Sequence, residues 1–312
     1  MNDAPKQMSC MEVWGGNQAM DGGVIMAGLD AWIYSRPWRD ELAGGDVHYV
    51  SSCASGRITR LVVADVSGHG ASVADLAAEL RQRMRRFVNH LDQRRFVKTL
   101  NSEFTKLSDA GTFATAIIGT YFAPNRFLSL VNAGHPPPLY YSRRECIWTL
   151  LEDTTEDASV ANMPLGISED MRYHEIGLTL DVGDLLLFYS DSLLEMGESP
   201  LEPAQLLPIV EQVDVDQPEE MIHELVRAAS GGAESDDDMT VLLVRPNGMT
   251  PQFSLRERLR APAIMFRRLL RGEAGPWPDL KLANVGGALV PYLNRFWGRK
   301  KGTIRRIDTD ES

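Results

Sequence analysis

The sequence predicts an α+β sandwich, two antiparallel β-sheets with pairs of helices packed outside them. Three observations carry that expectation. Short β-like runs recur along most of the chain, joined by turns such as Ala123-Pro124-Asn125-Arg126 that favour antiparallel pairing. Two blocks of helical periodicity interrupt the runs, in the order strands, helices, strands, helices, strand. With 312 residues and 44% hydrophobic content, the chain has ample material for a core.

Taken in order, residues 1–23 are Met- and Gly-rich with little periodicity and read as an irregular lead-in. Strands are expected at Val24–Tyr34, Val47–Cys53, Ile58–Val66, Thr112–Phe122, Phe127–Asn132, Cys146–Leu150, His174–Leu180, Asp184–Tyr189 and Met239–Val244. The first helical block starts near Val73. Leu76, Leu80, Met84, Phe87 and Leu91 continue its apolar stripe. Phe96, Leu100, Phe104 and Leu107 repeat the pattern in a second helix. A later pair spans Pro203–Val213 and Pro218–Ala229, each with proline where a first turn accepts it. Arg245-Pro246-Asn247-Gly248 reads as a boundary, so the folded domain is expected at 24–246 and a basic amphipathic extension at 247–312.

Composition narrows the function classes. Cys10, Cys53 and Cys146 lack CxxC spacing, which argues against a zinc site or a disulfide framework. No apolar run approaches the roughly 20 residues that span a bilayer, and no signal peptide is evident, so a cytoplasmic protein is expected. Residues 247–312 hold 13 Lys/Arg against 6 Asp/Glu, a net of +7, which leaves −18 on residues 1–246. An acidic body should repel nucleic acid and attract cations.

Four aspartate positions lie at strand ends or turns: Asp46 after Gly44-Gly45, Asp65 closing Leu61–Ala64, Asp191 in Tyr189-Ser190-Asp191-Ser192, and the run Asp236-Asp237-Asp238. Carboxylates from distant segments can converge on hard divalent cations, and an oxygen-only donor set suits Mg²⁺ or Mn²⁺. Each aspartate taken singly reads as a turn residue that satisfies local N–H groups before it reads as a ligand.

The motifs taken together resemble a known family. Gly44-Gly45-Asp46, Ala64-Asp65-Val66-Ser67-Gly68-His69-Gly70, Thr112-Phe113-Ala114-Thr115, Asn132-Ala133-Gly134-His135-Pro136-Pro137-Pro138, Pro164-Leu165-Gly166, Tyr189-Ser190-Asp191 and Asp237-Asp238-Met239-Thr240 occur in that order. The series resembles the PPM superfamily of metal-dependent protein phosphatases, in its bacterial SpoIIE-type, partner-switching branch. The resemblance implies the PPM-type sandwich and two bound ions, Mn²⁺ or Mg²⁺. It implies Asp65 as the ligand bridging both metals, Val66 as a ligand through its carbonyl, Asp46 as a ligand acting directly or through water, and Asp191 with Asp237 on the second metal. Asp65 and Asp46 thereby become the catalytic candidates, and Asp238 takes a supporting role. The implied reaction is in-line attack on phosphorus by a water or hydroxide shared between the metals. The implied substrate is phosphoserine or phosphothreonine on a regulatory protein, such as an anti-anti-sigma-like protein with a STAS domain.

Two departures from the pattern bear on activity. Ser192 stands where branch members carry glycine, and a positive φ there would strain a serine. It favours an alternative, a pseudophosphatase that binds a phosphoregulator without cleaving it. Ser67 replaces the histidine that many eukaryotic relatives use as a general acid. His69 and His135 each read as a hydrogen-bonded turn residue or a proton donor, while Arg36, Arg39 and Arg57 read as solvated surface. A hydrolase of small phosphoesters is a third reading. For the extension, packing on its own acidic body or on a protein partner is the preferred reading. An anionic membrane surface is the minority one, which Phe296, Trp297 and Arg299-Lys300-Lys301 would suit.

Overall fold

The computed structural model describes residues 5–8, 12–53, 56–68, 71–86, 92–108, 111–153, 162–196, 199–231 and 235–249. The strands are β1 (Lys6–Gln7), β2 (Val13–Gly16), β3 (Met20–Met26), β4 (Leu29–Arg36), β5 (Asp46–Cys53), β6 (Ile58–Val66), β7 (Ala114–Phe122), β8 (Phe127–Ala133), β9 (Leu139–Ser142), β10 (Ile147–Leu150), β11 (Ile176–Thr179), β12 (Leu185–Tyr189) and β13 (Met239–Pro246). The helices are α1 (Ala71–Arg86), α2 (Gln93–Leu107), α3 (Ser192–Glu195), α4 (Leu207–Val210) and α5 (Pro218–Ser230).

One sheet has seven strands in the order β1-β3-β4-β13-β12-β9-β10, and the other has six in the order β11-β8-β7-β6-β5-β2. The alternation of side chains builds four layers. Leu61 and Val63 of β6 meet Ile33, Phe188 and Leu242 of the facing sheet in a central core. On the outer face of the six-stranded sheet, Val62, Ala64 and Val66 pack under Leu80 and Met84 of α1 and Phe96 and Leu100 of α2. On the other outer face, Leu187 and Leu243 pack under Leu193, Leu207, Met221 and Leu225. The ends of the long helices have local causes. The Asp92 side chain accepts the Arg95 N–H at 3.0 Å to start α2. Pro218 opens α5, and Gly231, at φ 58°, closes it.

Five features of the structure differ from the sequence reading. Residues 1–23 are not irregular where described, because β1, β2 and the start of β3 lie there; their glycines suppress the alternation by which a strand is recognised. Val24–Tyr34 is a hairpin rather than one strand. It turns between Met26 and Leu29 on Gly28, at φ 87°, where a Cβ would fall 2.6 Å from Ala123 Cβ. β9 follows the proline run that obscures it. The β1–β3 pair is parallel, although the remaining strand pairs among the described residues are antiparallel. The expected helix Pro203–Val213 is a 3₁₀ turn at Pro203–Leu206 followed by α4. His69, the helix beyond Arg86 and the extension from residue 250 lie outside the described residues. No helix among the described residues is long and apolar enough to cross a membrane.

Candidate active site

The pleat decides where the carboxylates fall. Leu61 and Val63 face the seam between the sheets while Val62, Ala64 and Val66 face the helices, so Asp65 belongs to the seam. The same count along β5, with Val50 in the seam, puts Asp46 there too. The two aspartates are direct partners in the β5–β6 ladder, and Thr115 of β7 is opposite Asp65 on its other side. In the facing sheet, Ser35 is opposite Thr240, and their hydroxyls lie 3.1 Å apart. The Thr240 N–H donates to Ser190 Oγ at 2.9 Å, and Ser190 Oγ lies 3.1 Å from Ser192 Oγ. At this end the apolar seam therefore gives way to hydroxyls on one sheet and carboxylates on the other.

The electrostatics are those of acids short of counter-charge. Asp46 is 3% exposed, and neither of its carboxylate oxygens has a hydrogen-bond partner. Burial, then the Asp65 carboxylate, push its pKa well above the usual carboxylate range. The hydroxyls of Ser190 and Thr240 face it and ease the shift without closing a bond of ordinary geometry. Asp65 is pushed up to about 7, by burial first and then by Asp191, Asp237, Asp238 and Glu195. Asp191 precedes α3; burial raises its pKa, and the backbone N–H groups of Ser192 and Asp191 itself oppose the rise. Glu195, one helical turn later, is raised by burial and by Asp191 and Asp237. Sequence reasoning missed Glu195; its i,i+4 spacing from Asp191 was the available signal. Among the described residues, no group of three or more His, Cys, Asp or Glu side chains is already closed into a metal-binding cluster.

Asp238 plays a different part from its neighbour Asp237. It is 6% exposed, and its Oδ1 accepts the Trp38 N–H at 2.7 Å while Oδ2 accepts the Gly45 N–H at 2.5 Å. A Cβ on Gly44 would fall 2.2 Å from Asp238 Oδ1. The Gly-Gly pair is thus the space into which this carboxylate fits, and Asp46 follows immediately. Asp237 is exposed, and its Oδ1 accepts the Asp238 N–H at 2.8 Å. Val66 ends β6 with its N–H directed to Gly45 O at 3.4 Å, and its own carbonyl oxygen would lie 3.0 Å from a Gly45 Cβ.

Several of the remaining motifs brace this end. Ser67 Oγ accepts the Phe113 N–H at 3.1 Å, fixing the approach to β7. Asn132 clasps the His135 backbone in both directions, at 2.7 and 2.8 Å. Leu165 pairs with Ala114, and Gly166 N–H donates to Asn101 Oδ1 at 2.9 Å. His135 is 4% exposed and shares a 2.8 Å hydrogen bond with Thr115 Oγ1 through Nδ1. Burial lowers its pKa to about 3, so it is neutral near pH 7 and unsuited to proton donation as an imidazolium. Ser192 carries none of the strain expected of it. It is the first residue of α3, buried, and absent from the residues at positive φ. Arg39 and Arg57 are exposed, as expected, while Arg36 is half-buried.

A four-layer sandwich whose seam ends in carboxylates is the architecture of the PPM phosphatase class. Comparison with known proteins narrows this. Residues 55–247 match the family model of stage II sporulation protein E, SpoIIE, and the chain belongs to the SpoIIE family. Among curated proteins it is 24% identical over 222 residues to the phosphoserine phosphatase RsbU of Bacillus subtilis, covering 70% of this chain and 63% of RsbU. The chain thus spans less than two thirds of that relative. Among solved structures it is similar to the RsbU and RsbW domains of Rv1364c from Mycobacterium tuberculosis, with a TM-score of 0.63, 23% identity, and 81% and 71% of the two chains covered. It is also similar to the PP2C phosphatase domain with a regulatory fragment of SpoIIE from Bacillus subtilis, with a TM-score of 0.56, 19% identity, and 76% and 64% covered.

Proposed function

We propose that this chain is a metal-dependent protein serine/threonine phosphatase that acts on a phosphorylated regulatory protein in a partner-switching pathway of the cytoplasm. The observation that carries the reading is the cross-strand pair Asp46–Asp65: a buried and a half-buried carboxylate forced together, with both oxygens of Asp46 lacking a partner. Such an arrangement is costly unless a cation neutralises it. The expected donors, the carboxylates of Asp46, Asp65, Asp191 and Asp237 and the Val66 carbonyl, are all oxygen and fit hard cations.

In this reading Asp65 and Asp46, with the Val66 carbonyl, hold one side of a two-ion centre, and Asp191 and Asp237 hold the other. Bound there, Mg²⁺ or Mn²⁺ supplies neutralisation of the phosphoryl oxygens and a lowered pKa for water. The chain's own contribution is rigidity. β5 and β6 fix the central pair, Asp238 fixes the loop before Asp46, and α3 fixes Asp191. The RsbU relative, named a phosphoserine phosphatase, supports phosphoserine as the target. The Rv1364c structure carries an RsbU domain beside an RsbW domain, and the STAS-type substrate is carried over from the family resemblance. The non-catalytic reading rested on a strained Ser192, and the helical Ser192 removes that support. The folded body, which begins with β1 rather than at residue 24 and ends with β13, would carry the activity, and the basic residues 247–312 would dock on the acidic body or a partner.

The test is phosphate release from serine-phosphorylated STAS proteins with Mn²⁺, Mg²⁺ or EDTA, beside Asp65→Ala and Asp237→Ala. Release that needs the cation and vanishes in both variants is expected. Cation-independent release, or none above the variants, refutes the proposal.

A further inference from the structure

Leu42 is 92% exposed, the most exposed large apolar residue among those described. A scattered exposed leucine carries no message by itself. The loop beneath this one does. Asp238 grips both ends of residues 38–45 with a single carboxylate, through the N–H groups of Trp38 and Gly45. Within the loop, Glu41 N–H donates to Trp38 O at 3.0 Å. Gly44 N–H donates to Asn17 O at 2.8 Å, and the buried Asn17 side chain returns a bond to Gly44 O at 3.0 Å. Pro37 is buried, and Arg39 stacks over the Trp38 ring at 4.2 Å while held at φ 48°, a conformation uncommon for a residue with a side chain. The loop is compact and tied at its base, with Leu42 and Arg39 exposed and Trp38 half-buried beneath Arg39.

Its position gives it a purpose. Leu42 precedes Asp46 by four residues, so chain length alone keeps its Cα within about 14 Å of the Asp46 Cα. A protein that offers a phosphoserine there must bring its own surface onto the rim, whereas a small phosphoester need not reach it. Tryptophan and arginine are the residue types that anchor interfaces, and a pre-ordered loop loses little entropy on binding.

We propose that the 38–45 loop is the docking element for the phosphoprotein substrate, with Leu42 as its apolar anchor in a pocket beside the phosphoserine. This deepens the phosphatase reading and rests on it. The test uses the full chain with a panel of serine-phosphorylated STAS-domain proteins, taking the one cleaved fastest, and p-nitrophenyl phosphate as the small substrate. Leu42→Asp is expected to lower kcat/KM on the phosphoprotein at least tenfold through KM, with p-nitrophenyl phosphate turnover changed less than twofold. Leu42→Met should restore the phosphoprotein rate. Unchanged kcat/KM on the phosphoprotein overturns the proposal, as does an equal loss on both substrates. If the wild-type chain cleaves nothing, the phosphatase reading fails by itself. Docking is then read from binding of the phosphorylated panel: tenfold weaker binding by Leu42→Asp supports it. Equal binding, or no binding by the wild-type chain, overturns it.

Discussion

Two carboxylates directly opposite on neighbouring strands repel, and burial makes the repulsion larger. The chain nevertheless keeps Asp46 facing Asp65. At this scale the consequence is a conflict between stability and chemistry. Asp65→Asn keeps the shape and removes one charge. In EDTA at pH 7.5 it should raise the stability of the folded chain by about 1–3 kcal/mol, part of the roughly 1.4 kcal/mol carried by each unit of pKa shift. The same variant should lose cation-dependent phosphate release. Urea denaturation and a phosphate assay on one preparation check both halves, and a variant that is destabilised in EDTA counts against a repulsive pair. Ser192 gives the opposite case. Its hydroxyl touches Ser190 and its backbone is helical, so Ser192→Gly should cost roughly 0.5–1 kcal/mol and leave kcat within about twofold. A large gain in kcat on Ser192→Gly would show that serine does impair the site.

Among the elements, the loop before β5 is where packing and site are least separable. Asp238 fills the space above Gly44, so Gly44→Ala drives a methyl into a buried carboxylate that is bonded at both oxygens. Overpacking of this kind costs about 1–3 kcal/mol, and here it also displaces the loop that leads into Asp46. The expected result is a lower Tm together with at least a tenfold rise in the Mn²⁺ concentration needed for half-maximal activity. An unchanged cation requirement would separate the loop from the site. Elements were legible in the sequence where one force dominated. Ile58–Val66 was readable to the residue, because a run so dense in β-branched and apolar residues, broken only by Arg60 and Asp65, admits little else. Pro218 announced α5 for the same reason. The 24–34 hairpin was not legible, since its turn rests on Gly28 alone and its flanks are apolar on both faces in a buried sheet. At the site, Asp46, Asp65, Asp191 and Asp237 stood out as strand-end acids. Glu195 and the hydroxyls of Ser35, Thr240 and Ser190 did not, because only the pairing of β4 with β13 and the start of α3 bring them there.

For the molecule as a whole, the sandwich joins its halves at an end where burial and neighbouring carboxylates raise the pKa of Asp46 and Asp65, and stability should record this as a pH dependence. The folded Asp65 titrates at about 7 against an ordinary value of 3.8. Its contribution is therefore fully present below about pH 4 and is lost as pH rises through 7, because the unfolded chain releases its proton first. Asp46 acts in the same direction. In EDTA the Tm should fall between pH 5 and pH 7.5. Mn²⁺ at a hundredfold excess over its Kd adds about 2.7 kcal/mol at the upper pH, a rise of roughly 5–10 °C in a domain of this size. At pH 5 protons compete for the same oxygens, so the cation should add far less. Scanning calorimetry at both pH values, with and without Mn²⁺, measures the effect, and Asp65→Asn should flatten both the pH slope and the cation response. A cation response that does not grow with pH would mean that the ion binds away from Asp46 and Asp65, and the two-ion assignment would fall with it.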